Sequence, residues 1–94
     1  MKTVMVRPGG RPVAVEIENE LHALQKAVGG YLESVTLGED WCVLCDEEWR
    51  FKGEPHTCII NGVVFGGTVL IVGIMGEDFA DIPQHMAERL VESC

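Results

Sequence analysis

The chain has 94 residues and a mass of 10.3 kDa, which predicts a single domain over residues 1–94. Hydrophobic residues make up 47% of it and charged residues 23%, a composition that excludes an intrinsically disordered chain. Fifteen acidic residues against seven basic ones give a net charge of −8. This balance argues against a protein that binds nucleic acid or an anionic membrane, because both attract clustered cations.

The apolar runs and the cysteines indicate a cytoplasmic protein. The apolar run at the start is too short for a signal peptide, since Pro8 and two glycines follow at once. The longest apolar run, Val63–Met75, is broken by glycines and is shorter than the about 20 residues of a membrane span. We therefore expect reduced thiols, as is usual in the cytoplasm, at Cys42, Cys45, Cys58 and Cys94.

The first 18 residues predict a β-hairpin. Thr3–Arg7 is rich in Val and Met and is typical of a strand. Arg7–Pro12 predicts a turn, because proline sets φ at the first corner and glycine permits a positive φ at the second. Val13, Val15 and Ile17 then alternate with other residues, as in a half-buried strand.

A helix of about ten residues follows the hairpin. Asn19 is a favoured N-cap residue. Leu21, Leu24 and Val28 recur at helical spacing and form one apolar stripe. Gly29 ends the helix, since glycine readily takes the left-handed C-cap conformation.

Further strands are predicted at Tyr31–Leu37, Trp41–Cys45, Thr57–Ile60 and Thr68–Ile74. The last of these is almost continuously apolar and predicts a central strand buried on both faces, in which Gly73 marks a bulge or a close approach. Asn61-Gly62 predicts a tight turn. Trp49–Phe51 is either a loop or a brief return strand.

A second helix is predicted at the C-terminus. Asp81 is its expected N-cap and Pro83 fits its first turn. Its apolar stripe consists of Ile82, Met86 and Leu90, with Ala87 and Val91 beside it. The fold class is therefore α+β: a small, mainly antiparallel sheet with an N-terminal β-hairpin, one helix after it and a C-terminal helix.

Three segments together resemble an uncharacterised domain family. They are LQKAVGGYLE at 24–33, DEE at 46–48 and NGVVFGGTVLIVG at 61–73, and the resemblance covers most of residues 3–75. The family is a domain of unknown function of bacteriophages and of mobile elements in Gram-positive bacteria. The resemblance implies a small accessory protein in the infected or host bacterium. Such a protein acts on host defence by binding a host protein or by trapping a small signalling molecule. No catalytic residues are carried over.

The turn between the first two strands is the first candidate binding site. Arg7 and Arg11 flank Gly9 and Gly10. Guanidinium groups bind phosphate in a bidentate manner, and glycine-rich backbone can present N–H donors to an anion. The alternative is a plain hairpin turn with solvated arginines.

Trp49 and Arg50 form the second candidate. An exposed aromatic ring with a nearby arginine can stack a nucleobase, and both residues lie beside a glycine-containing loop. The alternative is that the aromatic residues belong to the core or to an oligomer interface.

Cys42, Cys45, His56 and Cys58 have a spacing that zinc ligands could adopt. Residues three apart on a strand point to opposite faces, so the sequence favours core thiols at Cys42 and Cys45 over zinc or redox chemistry. No histidine has a neighbour in the sequence that would make it a general base. We expect neither catalytic residues nor a metal nor a cofactor.

The preferred hypothesis is a non-enzymatic protein that sequesters a small nucleotide-like ligand, with its site at the interface of a homo-oligomer. Arg7, Gly9, Gly10, Arg11, Trp49 and Arg50 are the expected ligand-binding residues. A small fold forms a deep pocket more easily between chains than within one. The alternative hypothesis is an acidic inhibitor that binds a host defence protein, in the manner of a nucleic-acid mimic; the charge of −8 favours it.

Overall fold

The computed structural model describes residues 1–86. Within them the chain forms eight strands and one helix, and it ends in a helical turn at residues 84–86. The elements are β1 Lys2–Val6, β2 Val13–Glu16, α1 Leu21–Val28, β3 Leu32–Thr36, β4 Trp41–Asp46, β5 His56–Ile60, β6 Val63–Gly66, β7 Val69–Met75 and β8 Asp78–Ala80.

The main sheet has the strand order β2-β1-β7-β4-β3, and each neighbouring pair is antiparallel. The short strand β8 also pairs with β7, beyond the residues that pair with β1. Strands β5 and β6 form a separate two-stranded sheet around the Asn61-Gly62 turn. The mainly antiparallel sheet is confirmed, and the protein is richer in sheet than predicted.

The N-terminal hairpin has the predicted turn. The Gly10 amide donates a hydrogen bond to the carbonyl of Arg7 over 2.9 Å. Gly9 has a φ of 73°, which a type II turn requires at its second corner and which glycine adopts without steric cost. The position of Pro8 in this turn follows from the same geometry, since proline favours the first corner.

The helix ends as predicted but begins differently. Gly29 has a φ of 87° and its amide donates to the carbonyl of Gln25 over 2.8 Å, so the left-handed C-cap is confirmed. The prediction that Asn19 is the N-cap was wrong: Glu20 occupies that position without a side-chain hydrogen bond. The Asn19 amide group instead donates to the carbonyl of Phe79 over 2.7 Å. A long-range contact thus replaces the local cap.

The sheet lies between two apolar layers. Helix α1 covers one face, where the core consists of Leu24, Val28, Cys42, Leu44, Leu70 and Val72. The β5–β6 hairpin and the start of the C-terminal segment cover the other face, and that core includes Val4, Val6, Val43, Cys45, Phe65, Val69, Ile71 and Ile82. Strands β4 and β7 therefore contribute side chains to both layers, which confirms that the predicted central strand is buried on both faces.

Three other local predictions can be compared with the structure. Residues 49–51 form a turn, not a return strand. A side chain at Gly73 would collide with the carbonyl of Asp81, so the predicted close approach is confirmed. Strand β8 was not predicted, because three residues carry too little pattern to indicate a strand.

The C-terminal helix can be judged only in part. Residues 84–86 are helical, while Leu90, Ala87 and Val91 lie outside the described residues. One oxygen of the Asp81 carboxylate accepts a hydrogen bond from the Lys2 amide over 2.7 Å. The Ile82 amide in turn donates to the carbonyl of Lys2 over 2.8 Å, which ties this segment to the edge of β1.

Replacing Leu24 with alanine should destabilise the fold by about 2–5 kcal/mol, because the side chain is 1% exposed and its loss leaves a cavity between α1 and the sheet. Leu21→Ala in the same helix is the matched control. Leu21 is 61% exposed, so that change should stay within about 0.5 kcal/mol. Urea denaturation measures both, and equal losses would contradict the described packing of α1.

Candidate functional site

Five of the six cations among residues 1–86 lie at one end of the main sheet. The strand register defines this end: Val6 pairs with Val69 and Leu32 pairs with Asp46. The end of β1, the start of β7, the end of β4 and the start of β3 therefore lie side by side. We call it the cationic end; its basic residues are Arg7, Arg11, Lys26, Arg50 and Lys52.

The opposite end of the sheet is strongly acidic. Lys2, at the start of β1, is its only basic residue within the part of the chain that the structure describes. The turns and strand termini there carry Glu16, Glu18, Glu20, Glu39, Asp40, Glu77, Asp78 and Asp81. The cationic end also carries Glu33, Asp46, Glu47, Glu48 and Glu54, so its five basic residues are balanced there and the excess negative charge lies at the opposite end. The sequence-based hypothesis of an anion site depends on the cations at the cationic end.

The turn that carries Arg7 and Arg11, which we call the arginine turn, borders a small cavity. Arg7, Gly10 and Arg11 form its rim, above an apolar floor, and the volume is about 250 Å³. The Gly10 amide is already bonded to the Arg7 carbonyl, so this donor serves the turn and not a ligand. Gly9 occupies the corner of the turn. The two guanidinium groups remain the groups that could bind an anion here. The floor consists of Met5, Val13 and Val15.

The structure places Trp49 in the core, so the ring is not exposed as the stacking hypothesis requires. It is 4% exposed and lies against Gly66, where any side chain would collide with it. The His56 ring meets it edge-on at 5.4 Å between ring centres. The Arg50 guanidinium lies 4.7 Å from the ring centre. Neither Trp49 nor Arg50 is among the residues that line the arginine-turn cavity.

The structure separates the cysteines that could have formed a zinc site. Cys42 lies in the core under α1, and Cys45 lies in the core on the other face, as the strand argument predicts. One ion cannot contact both thiols. Burial raises the pKa of Cys42, and burial with the charges of Glu33 and Asp46 raises that of Cys45 to about 11. No three acidic, histidine or cysteine side chains of residues 1–86 form a metal-binding group.

An ion pair between a buried carboxylate and a partly exposed ammonium group joins three segments at the cationic end. The carboxylate of Asp46 is buried and accepts a hydrogen bond from the Lys52 ammonium over 2.6 Å. Its other oxygen accepts from the Glu48 amide over 2.9 Å. Lys52 also donates to the carbonyl of Gly29, the C-cap of α1, over 3.1 Å. A Cβ at Gly30 would lie 2.5 Å from the carboxylate, so this position admits only glycine without a shift.

The ionisation of this pair follows from those contacts. Burial raises the pKa of Asp46, but the hydrogen bonds from Lys52 and Glu48 outweigh it, and the pKa lies below its ordinary value. The hydrogen bond with Asp46 raises the pKa of Lys52. Both groups are therefore charged at neutral pH.

The ion pair lies beside an exposed aromatic ring, that of Tyr31. Tyr31 is 65% exposed, and its carbonyl accepts a hydrogen bond from the Glu47 amide over 2.9 Å. The GGY and DEE segments, which are far apart in the sequence, therefore meet. Between them and the last turn of α1 lies what we call the helix-end cavity, of about 520 Å³. Its lining consists of His22, Gln25, Lys26, Gly30, Tyr31, Glu48 and Lys52.

The helix-end cavity was not predicted from the sequence. No local motif links Lys26, Tyr31 and Lys52, and strand pairing alone places them together. The signal that was available was the resemblance itself, because two of the three segments that carried it form this region. Chemically, the cavity combines ammonium groups, one carboxylate and a flat aromatic ring.

Comparison with known proteins places the chain in a family. The family model "Domain of unknown function (DUF3846)" matches residues 1–94, so the chain belongs to that family. No curated protein and no solved structure matched the chain. Among residues 1–86 there is no helix both long and apolar enough to cross a membrane.

Lys52→Met should destabilise the protein at neutral pH, because it leaves the buried carboxylate of Asp46 without its counter-ion. The pKa of Asp46 is lowered in the folded state. The stabilisation it provides is therefore present above the unfolded pKa and is lost as the pH falls through the folded pKa. The difference in unfolding free energy between wild type and variant should shrink from about pH 7 to about pH 3.

Lys26→Met is the control for this experiment, since Lys26 lines the same cavity without bonding Asp46. Its unfolding free energy should follow that of the wild type across the pH range. A difference between wild type and Lys52→Met that stays constant with pH would show that the pair does not stabilise the fold through its charge.

Proposed function

We propose that this chain is a non-enzymatic accessory protein of a phage or mobile element that sequesters a small nucleotide-like ligand of host defence. The observation that supports this best is the collection of cations at one end of an otherwise acidic protein, next to two surface cavities. A phosphate-bearing ligand is repelled by the acidic end and finds its cationic partners at this one.

The arginine turn suits the phosphate part of such a ligand. Of the described residues that line its cavity, none is a carboxylate, so the charges of Arg7 and Arg11 are not cancelled within the cavity. Guanidinium groups offer paired N–H donors that match phosphate oxygens. The apolar floor accepts the less polar part of the ligand.

A second copy of the chain would complete the site. The cavity of about 250 Å³ is below the about 300–1,000 Å³ of typical ligand pockets. It lies beside β2, an edge strand of the main sheet, and Val13 on that strand is 57% exposed. Pairing along this edge would cover Val13 and deepen the cavity, which favours a homo-oligomer.

Sequestration requires affinity and no reactive group. The raised pKa values of Cys42 and Cys45 keep the two buried thiols protonated and unreactive. The phage or mobile-element setting and the action on host defence are parts of this proposal, and both rest on the resemblance.

Native mass spectrometry of the protein as purified tests the proposal. The wild type should carry an additional mass in the range of a nucleotide, which is lost on denaturation. The double variant Arg7→Ala, Arg11→Ala should lose that mass, because the phosphate has no cationic partner.

Lys2→Ala, at the acidic end, removes a cation elsewhere and should keep the mass. A double variant that retains the mass contradicts the site. A wild type that carries no mass, and gains none from a nucleotide mixture, contradicts the function.

A second candidate function is inhibition of a basic host protein, and Phe51 favours it. This side chain is 91% exposed and borders a groove of about 460 Å³ whose other lining residues are Glu33, Glu47 and Glu48. Strand β3, which carries Glu33, forms the other edge of the main sheet. An exposed aromatic ring among carboxylates suits a partner segment that is rich in lysine or arginine.

Binding of a synthetic lysine- and arginine-rich peptide tests this second candidate function. Its affinity should fall steeply as salt rises from about 0.05 to about 0.3 M, because the charges become screened. Phe51→Ser should weaken the binding further, while Ile59→Ser, an exposed apolar residue on β5, should not. Salt-independent binding, or equal effects of the two variants, would contradict this function.

A further inference from the structure

We infer that the helix-end cavity is a second site for a nucleotide-like ligand, in which Tyr31 stacks on the planar base and Lys26 and Lys52 bind a single phosphate. This inference rests on the proposed function, which concerns a nucleotide-like ligand, and places a site of its own at the β3 edge of the main sheet, whereas the arginine turn lies at the β2 edge. The residues that carry it belong to segments 22–31 and 48–52.

Tyr31 presents an exposed ring on a fixed backbone. Its carbonyl is bonded to the Glu47 amide, and the amide of the preceding residue, Gly30, donates to the carbonyl of Gln25 over 3.1 Å. Gly30 is also packed against the Asp46 carboxylate. Because the backbone is already held on both sides, little conformational freedom remains to be lost when a base stacks on the ring. By contrast, Trp49 is covered by its own neighbours.

The two lysines are held differently and complement one another. Lys52 uses two of its three N–H donors on Asp46 and Gly29, which leaves one donor for a ligand. Lys26 lies in the last turn of α1 and also lines the cavity. One phosphate between the two ammonium groups would receive hydrogen bonds from both.

Glu48 provides the acceptor that a base requires. Its backbone amide is bonded to Asp46, so the residue has a fixed position, and its side chain lines the cavity. A carboxylate accepts hydrogen bonds from ring or exocyclic N–H groups, as at base edges elsewhere. Gln25 and His22, on the facing side of α1, can donate or accept.

The charge balance selects the class of ligand. The C-terminal end of a helix carries partial negative charge, and Glu48 adds a full one, so a highly charged anion is disfavoured here. A purely apolar ligand would take water from the remaining Lys52 donor and from the Glu48 carboxylate without replacing it. A planar base with one phosphate uses the ring, the carboxylate and the ammonium groups together. The volume of about 520 Å³ lies within the about 300–1,000 Å³ range of ligand pockets.

NMR titration of the amide signals of the full chain tests the inference with three probes: adenosine 5′-monophosphate, adenosine and inorganic phosphate. The monophosphate should shift the signals of Gln25, Lys26 and Tyr31, and adenosine should shift them at higher concentration. Inorganic phosphate should leave them unchanged, because it cannot stack. Tyr31→Ala should weaken the affinity for the monophosphate about tenfold, and Tyr31→Phe should preserve it.

Two further variants distinguish phosphate binding from base stacking. Lys26→Ala should weaken the affinity for the monophosphate and leave the affinity for adenosine unchanged, since only the monophosphate carries a phosphate. Phe51→Ala removes the other highly exposed aromatic residue, lies outside this cavity and should change neither affinity. Tyr31 is exposed, so unchanged thermal unfolding of its variants is expected.

The outcomes distinguish this inference from the proposed function. Absence of shifts at the cavity with both nucleoside probes, or full monophosphate affinity in Tyr31→Ala, would overturn the inference. If the wild type purifies with the additional mass that the arginine variant loses, but adenosine 5′-monophosphate causes no shifts at the helix-end cavity, the function stands and the helix-end site is wrong. If the monophosphate binds through Tyr31 but the wild type retains no ligand, the helix-end site stands and sequestration is wrong.

Discussion

The carboxylate of Asp46 is the point at which the end of β4, the end of α1 and the turn after β4 are joined. A buried carboxylate is costly unless charged and polar partners surround it. Here the partners are the Lys52 ammonium and the Glu48 amide, and Gly30 approaches closely because it lacks a side chain. These contacts hold the three segments together around this one group. The position of Tyr31 follows, since it is the next residue after Gly30.

The turn that supplies Lys52 also contributes residues both to the core and to the surface. Trp49 points into the core against Gly66, Arg50 lies on its ring, and Phe51 is exposed. Within four residues the chain thus supplies a core anchor, an exposed cation stacked on that anchor, an exposed apolar contact and the counter-ion of Asp46. Because Lys52 lines one surface and Phe51 the other, the cationic end contains both the helix-end cavity and the acidic groove around Phe51.

The distribution of charge gives the functional hypotheses their physical basis. A chain with a net charge of −8 repels most anions, and it can hold one only where cations are gathered and screening is limited. The antiparallel sheet brings these cations together, because turns and strand termini from distant parts of the chain lie at the same end of the sheet. The same order places eight carboxylates at the opposite end. The helix-end cavity and the groove around Phe51 nevertheless lie at the same end, and Glu48 lines both.

Local patterns in the sequence determined much of this protein. Pro8 and Gly9 specify a type II turn, Gly29 specifies the helix end, and the alternation along 41–46 sends Cys42 and Cys45 to opposite faces, because each depends on backbone geometry over a few residues. Only the tertiary structure decided the rest. The displacement of Asn19 from its expected cap, the burial of Trp49, the pairing of β8 and the meeting of Lys26, Tyr31 and Lys52 depend on contacts between residues distant in the chain. A single sequence carries no local signal for such contacts, since strand order and register are set by how the whole core packs.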